Sequence, residues 1–295
     1  MFQFFANIFG YLLNFINNFV GNYGLAIILF TVLIKIIMLP LSIKQQRTMK
    51  KSTELNEKIK VLQFKYKNDP EKLNREMMDL YKKENMSPFS GCLSTIAQFI
   101  LLISIFYMVR CPLTYMEKIN NDQINTYVQQ LKDGGFTVNQ AYSEIDIIRE
   151  LDYLKEKMPE DEGLNKINLN MNFCGLDLSK IPQQNLNDWT VYIIPALYII
   201  STFISMKITT SMQKKSKKND GVIDITEKEE KDSKEEEKNE MEDMMEQSNK
   251  MMSWMMPIMS VSISLVAPLG LALYWLVNNI LMIGERLVLN KIIKD

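Results

Sequence analysis

Residues 1–34 contain no charged side chain, whereas residues 214–250 are almost entirely charged and polar. A chain that sorts its residues into long apolar and long solvated blocks is built for two solvents, hydrocarbon and water. The averages hide this. A net charge of −1 and 47% hydrophobic residues over 295 positions would suit a water-soluble protein. The sequence has no His, and Cys92, Cys111 and Cys174 are far apart. Zinc-ligand spacings, Ser–His–Asp or Cys–His catalysis and a dense disulfide framework are thereby excluded, so we expect no enzyme, no metal and no cofactor.

The first 20 residues carry no Lys or Arg. A cleaved signal peptide needs a basic start and an organellar transit peptide needs Arg, so the segment is expected to be retained in a bacterial protein. Gln3, Asn7, Gly10, Asn14 and Asn17/Asn18 recur at steps of three and four. This single polar stripe predicts an amphipathic helix lying in the membrane interface over residues 1–20. The break Gly21-Asn22-Tyr23-Gly24 then turns the chain into its first span.

Apolar blocks follow at Gly24–Ile43, about Gly91–Val109, Trp189–Ile208 and Trp254–Ile283. The last is too long for one crossing of about 30 Å and short for two. Charge decides. Lys44, Arg47, Lys50 and Lys51 follow the first span, and Lys207, Lys214, Lys215, Lys217 and Lys218 follow the third. The positive-inside rule puts both sites in the cytoplasm. Arg286, Lys291 and Lys294 join them only if the last block crosses twice, turning at Pro268. The expectation is an all-α integral membrane protein of the bacterial plasma membrane, with five transmembrane helices, its N-terminus outside and its C-terminus inside.

The expected division is an interfacial helix over 1–20, then the first two spans over 21–110 with a cytoplasmic helical hairpin at 44–88. An extracytoplasmic region (111–188) and the third span (189–209) come next. A charged, partly disordered cytoplasmic loop (210–253) precedes the last two spans and a short tail (254–295). In the hairpin, Leu55, Ile59, Leu62 and Tyr66 share one helical face and Leu73, Met77 and Leu80 another. Between them, Asp69 can cap a helix with Pro70 at its first position. The extracytoplasmic region has a turn signal at Gly134-Gly135 but no legible fold, and whether Cys111 and Cys174 pair is open.

Lys35 lies inside the first span, where an ionisable group costs about 2.5–3.5 kcal/mol unless it meets water or a partner. The plain alternative is snorkelling to the inner interface. Lys44, at that interface, is nine residues and about 13 Å away, beyond comfortable reach, so Lys35 is read as facing a cavity. No acidic residue falls within the blocks as bounded above. Thr31 and Ser42 share the Lys35 face. Ser94, Thr95 and Gln98 open the second span, Ser201, Thr202 and Ser205 close the third, and Asn278 and Asn279 lie in the inner half of the fifth. Singly, each is a helix-packing residue. Together, Lys35, Thr31, Ser94, Gln98, Ser201, Ser205 and Asn278 outline a hydrophilic groove open to the cytoplasm and closed toward the outside. Met241, Met244, Met245, Met251, Met252, Met255, Met256 and Met259 read as interface anchoring or as an adaptable surface for apolar clients.

The run Gly21–Ile28, with Lys35, Leu39-Pro40-Leu41 and Lys44-Gln45, resembles the first core span of the YidC/Oxa/Alb insertases. Lys67-Asn68-Asp69-Pro70, Glu76–Lys82, Ser87-Pro88 and Gly91-Cys92-Leu93 continue the likeness. So do Met256-Pro257-Ile258-Met259, Pro268–Trp275 and Asn278-Asn279. The resemblance, over about residues 20–110 and 189–290, implies a five-span membrane protein insertase or chaperone whose groove carries one functional cation, here Lys35. It implies nascent membrane proteins and the lipid bilayer as partners, the Sec translocation channel and the ribosome as further ones, monomeric action and no nucleic-acid-specific binding. A small-solute transporter or channel is the alternative. The chain departs from the family in having Lys where Arg is usual, which loses bidentate carboxylate recognition but keeps the charge. Ser94 and Ile100 replace prolines of the second span, the external region and charged insertion are long, and Lys294-Asp295 ends short of a basic ribosome-binding extension.

Overall fold

A computed structural model of the protein describes residues 2–66, 69–84, 90–219 and 261–292. The Met-rich stretch and most of the Lys/Glu insertion lie outside them. The described chain is helical almost throughout, and three of its helical stretches are long and apolar enough to cross a membrane: Tyr23–Thr48, Trp189–Thr209 and Leu269–Leu289. A shorter apolar stretch, Phe99–Arg110, ends helix α4.

Helix α1 (Phe2–Val20) packs along α2 (Tyr23–Lys65) and α4 (Ser90–Arg110). The polar stripe read from its sequence faces protein as much as water. Ala6, Gly10, Leu13 and Asn17 are buried, and Asn14 and Asn17 donate to the carbonyls of Met116 and Asn168. The outward face is the apolar one, with Phe4, Ile8, Tyr11, Phe15 and Phe19 exposed. Gly21, at φ +66°, ends the helix by bonding back to the Asn17 carbonyl. Asn22 then caps α2 by accepting from Leu25 N.

The first span and the first arm of the hairpin are one helix of 43 residues. Pro40 removes only the bond to the Ile36 carbonyl, and the Lys, Gln, Arg, Thr and Met run after Ile43 offers no stop. Residues 67–68 lie outside the described chain. Asp69 accepts from Lys72 N and Pro70 opens α3 (Pro70–Lys83), as its sequence indicated. Lys58 on α2 meets Glu84 at 2.6 Å and ties the hairpin's arms together. Residues 211–219, read as part of a disordered insertion, instead continue α10 (Ile193–Asn219) in helical form.

Residues 112–188 form a packed cap of short helices. These are α5 (Pro112–Tyr115), α6 (Asn121–Asp133), α7 (Ser143–Arg149), α8 (Leu151–Lys157) and α9 (Glu162–Lys166). Gly134 and Gly135 end α6, Gly135 at φ +84°. A two-stranded hairpin, β1 (Asn172–Phe173) and β2 (Leu176–Asp177), turns through Cys174 and Gly175. Both have positive φ (52° and 81°), as a two-residue hairpin loop demands. Buried Tyr127, Leu131, Ile147, Leu154 and Leu164 join the core of the long helices in one continuous cluster. Cys111 and Cys174 are free thiols. Burial, with the nearby Glu144 charge, pushes the Cys111 thiol up to about 12 and keeps it in the unreactive protonated form.

The cap is fastened by backbone. Carbonyls of Asn168, Asn170 and Asn172 accept from Asn17 Nδ2, Tyr23 N and Asn22 Nδ2 at 3.1, 3.0 and 2.6 Å. Those of Leu178 and Lys180 accept from Gly270 N and Leu269 N, each at 2.9 Å. This strap, residues 168–180, supplies acceptors to the otherwise unpaired N–H groups that open α2 and α11 (Leu269–Ile292). Before α11, residues 261–266 are helical and the chain breaks at Ala267-Pro268, the turn expected from the sequence.

A Cβ on Gly10 would lie 2.1 Å from the Tyr115 carbonyl oxygen, whereas one on Gly284 would meet nothing within 4 Å. Gly10→Val should therefore destabilise the protein by about 1–3 kcal/mol and Gly284→Ala should not. Thermal unfolding in detergent checks both.

Candidate functional site

Helix α11 lies between α2 and α10 and is joined to each by polar side chains. Toward α2, Lys35 Nζ approaches Glu285 Oε2 at 3.3 Å. The two side chains are 20% and 13% exposed, so the pair is largely enclosed by protein. Toward α10, Asn279 Nδ2 donates to Ser201 Oγ at 2.9 Å and to Thr202 Oγ1 at 3.2 Å. Both hydroxyls in turn donate to the Tyr198 carbonyl at 2.8 Å. Farther along, Arg286 donates to Thr209 Oγ1, whose hydroxyl bonds to the Ser205 carbonyl.

Helical geometry accounts for the grouping. Asn279 and Arg286 are seven residues apart, two turns on one face, and both meet α10. Glu285 is rotated about 100° from Arg286 and meets α2 instead. Beyond the Lys35–Glu285 pair, the two helices part around an apolar recess of about 280 Å³. It is lined by Leu39, Ile43 and Arg47 from α2 and by Glu285, Leu289 and Ile292 from α11. The recess thus has hydrocarbon walls and charged groups of both signs.

Most of the residues expected to line a groove fall near this region, but not as one wet surface. Thr31 is buried and donates to its own helix at the Ile27 carbonyl, 2.6 Å away. Ser201 and Ser205 are buried between helices. Asn278 is only half-buried, and among the described residues the interhelical bonds belong to its neighbour Asn279. The side chains of Ser94 and Gln98 fall outside the described residues. Lys35, for which the sequence offered no acidic partner within the spans, has one in Glu285. The reason is that α11 runs on through Glu285-Arg286 to Ile292, well past Ile283. The signal was present: Leu287, Val288 and Leu289 resume the apolar run directly after the charged dipeptide.

Asn279→Leu should lower stability by about 1 kcal/mol, the scale of a hydrogen bond between membrane helices, and Asn278→Leu should leave it unchanged. Unfolding midpoints in the same detergent separate the two.

The family model for the 60Kd inner membrane protein matches residues 15–295. Among individual proteins, the chain is similar to the "Membrane protein insertase YidC" of Caldanaerobacter subterraneus subsp. tengcongensis. The two are 48% identical over 101 residues, 34% of this chain and 49% of that protein. It is similar to the protein of the same name from Chlorobaculum parvum, at 28% over 282 residues, 96% of this chain and 35% of the relative. The one from Francisella tularensis subsp. novicida is 46% identical over 109 residues, 37% of this chain and 20% of the relative. The chain therefore spans half or less of the length of these relatives.

Proposed function

The chain belongs to the 60Kd inner membrane protein family, the YidC/Oxa/Alb group, and from that premise we propose that it is a membrane protein insertase and chaperone. It is a multi-pass helical membrane protein. In our reading it has five spans, with the N-terminus and the cap outside and the hairpin and C-terminus in the cytoplasm. The apolar outward face of α1 would lie in the outer interface.

The observation that carries this reading is a cation, Lys35, held inside an apolar span beside a recess between α2 and α11. An arriving client has a hydrophilic tail that must cross hydrocarbon and an apolar segment that must reach lipid. A part-hydrated, charged recess shortens the hydrophobic path for the tail, and Lys35 attracts a carboxylate on it. The exposed apolar residues of α2, among them Leu33, Ile36 and Ile37, offer the segment a wall continuous with lipid. No bond is made or broken; the site works by solvation. Thr31, Ser94, Gln98, Ser201, Ser205 and Asn278 are assigned to the groove's polar lining in its working state. The partners are nascent membrane proteins and the bilayer, with the Sec translocation channel and the ribosome as delivery partners, and the working unit is a monomer without cofactor.

A transporter is the second reading, and Glu285 favours it to the extent that an intramembrane ion pair can relay a proton or ion. Flux through reconstituted vesicles in the absence of any client would establish it.

In proteoliposomes, Lys35→Ala should reduce insertion of a single-span client with an acidic translocated tail several-fold. Lys35→Glu should reduce it further, and Lys35→Arg should preserve it. Equal insertion by all four proteins at equal abundance removes the role given to the cation. Deleting residues 51–85 should impair client delivery more than the protein's own membrane integration, read by cross-linking to nascent chains and by fractionation.

A further inference from the structure

Lys35 does not wait empty for a client. Its ammonium is already engaged by Glu285, and the form of that contact matters. It is a single Nζ···Oε2 approach at 3.3 Å, without the bidentate fit an Arg would give. Both side chains keep some exposure, and Glu285 also lines the apolar recess. Arg47 lines the same recess, three turns along α2 from Lys35, and offers a displaced carboxylate a second cation.

We propose that Glu285 is a specificity-determining residue, a resident counter-ion that clients must displace to use Lys35. The proposal rests on the insertase reading of this site. A client carboxylate entering beside Lys35 exchanges with Glu285 one for one, so the ammonium is never left bare in a poorly hydrated place. Stranding it would be strongly unfavourable, and exchange avoids that. Glu285 is tethered on a helix packed against α2, so its effective concentration at Lys35 is millimolar or above. A tail with one acidic residue competes poorly against it. A tail with two or more competes better, because the second carboxylate rebinds when the first leaves. A neutral tail gains nothing by exchange and passes without opening the pair. Glu285 thereby grades clients by the number of carboxylates in the translocated segment, a discrimination that Lys35 alone would not give.

The test uses the full chain in proteoliposomes with one single-span client carrying zero, one or two Asp residues in its translocated tail. Glu285→Gln should raise insertion of the one-Asp client on the order of fivefold, the low end of couplings between competing ligands. It should affect the zero-Asp client least and narrow the gap between one and two Asp. Lys35→Gln, measured in parallel, separates the two levels of inference. If Lys35→Gln lowers insertion of the acidic clients and Glu285→Gln alters none, the cation is used but Glu285 does not compete, and the proposal is overturned. If Lys35→Gln also alters none, the reading of the site falls and the proposal with it. An equal loss for all three clients in Glu285→Gln, at normal abundance and unfolding temperature, shows Glu285 to be structural and likewise overturns it. Should Glu285→Gln not accumulate, Glu285→Asp, which keeps the charge and shortens the reach, should raise the one-Asp to zero-Asp ratio; an unchanged ratio overturns the proposal.

Discussion

In hydrocarbon no water replaces a missing partner, so each polar side chain on a spanning helix must be met by another helix or reach a wet surface. Helix α11 meets that demand on two sides. Glu285 takes Lys35 of α2, while Asn279 and Arg286 take Ser201, Thr202 and Thr209 of α10. Three helices are aligned by these contacts, which join residues 250 positions apart between α2 and α11 and 77 or 78 apart between α10 and α11. Each such bond contributes modestly, about 0.6 kcal/mol on average, but each also has a fixed address. Apolar ridges alone would allow neighbouring registers of similar energy; Asn279 opposite Ser201 does not. The ion pair of the set is also the contact beside the recess, so the same residues that set the register define the proposed site.

Outside the bundle a different rule holds. There the backbone does the joining, and the cap meets helix ends through carbonyls at residues 168, 170, 172, 178 and 180. Side-chain links assist it. Lys118 donates to Asn7 and sits over the Tyr11 ring at 3.9 Å, and Lys180 pairs with Asp188 at 2.8 Å. That pair, with the bonds from Thr190, holds the Asp188 carboxyl down at about 2. Buried Glu144 is fixed by the amide and hydroxyl of Thr114, although burial pushes its carboxyl upward overall.

Features decided by local chemistry were legible in the sequence. Asp69-Pro70 starts a helix wherever it stands, Gly134-Gly135 ends one, and a Lys in an apolar run is conspicuous in any register. Features decided over distance were not. The cap consists of helices of four to 13 residues, too short for periodicity to announce, and its fastening bonds join residues such as Tyr23 and Asn170. The polar stripe of α1 was visible, but nothing in it said that Asn14 and Asn17 would bond to the cap. Choosing Asn278 over Asn279 was a choice between faces about 100° apart, which requires knowing where α10 lies. Glu285 lies past the point where the composition of the span changes, whereas the helix continues to Ile292.

The strap has a mechanical consequence. It bonds the N-terminal ends of α2 and α11 to one continuous stretch of backbone, so those ends cannot drift apart without losing several bonds together. Farther along, the contacts between the two helices among the described residues are side chains and an apolar gap. Separating α2 from α11 must therefore break several backbone bonds together at the strapped end, but only side-chain contacts beyond it.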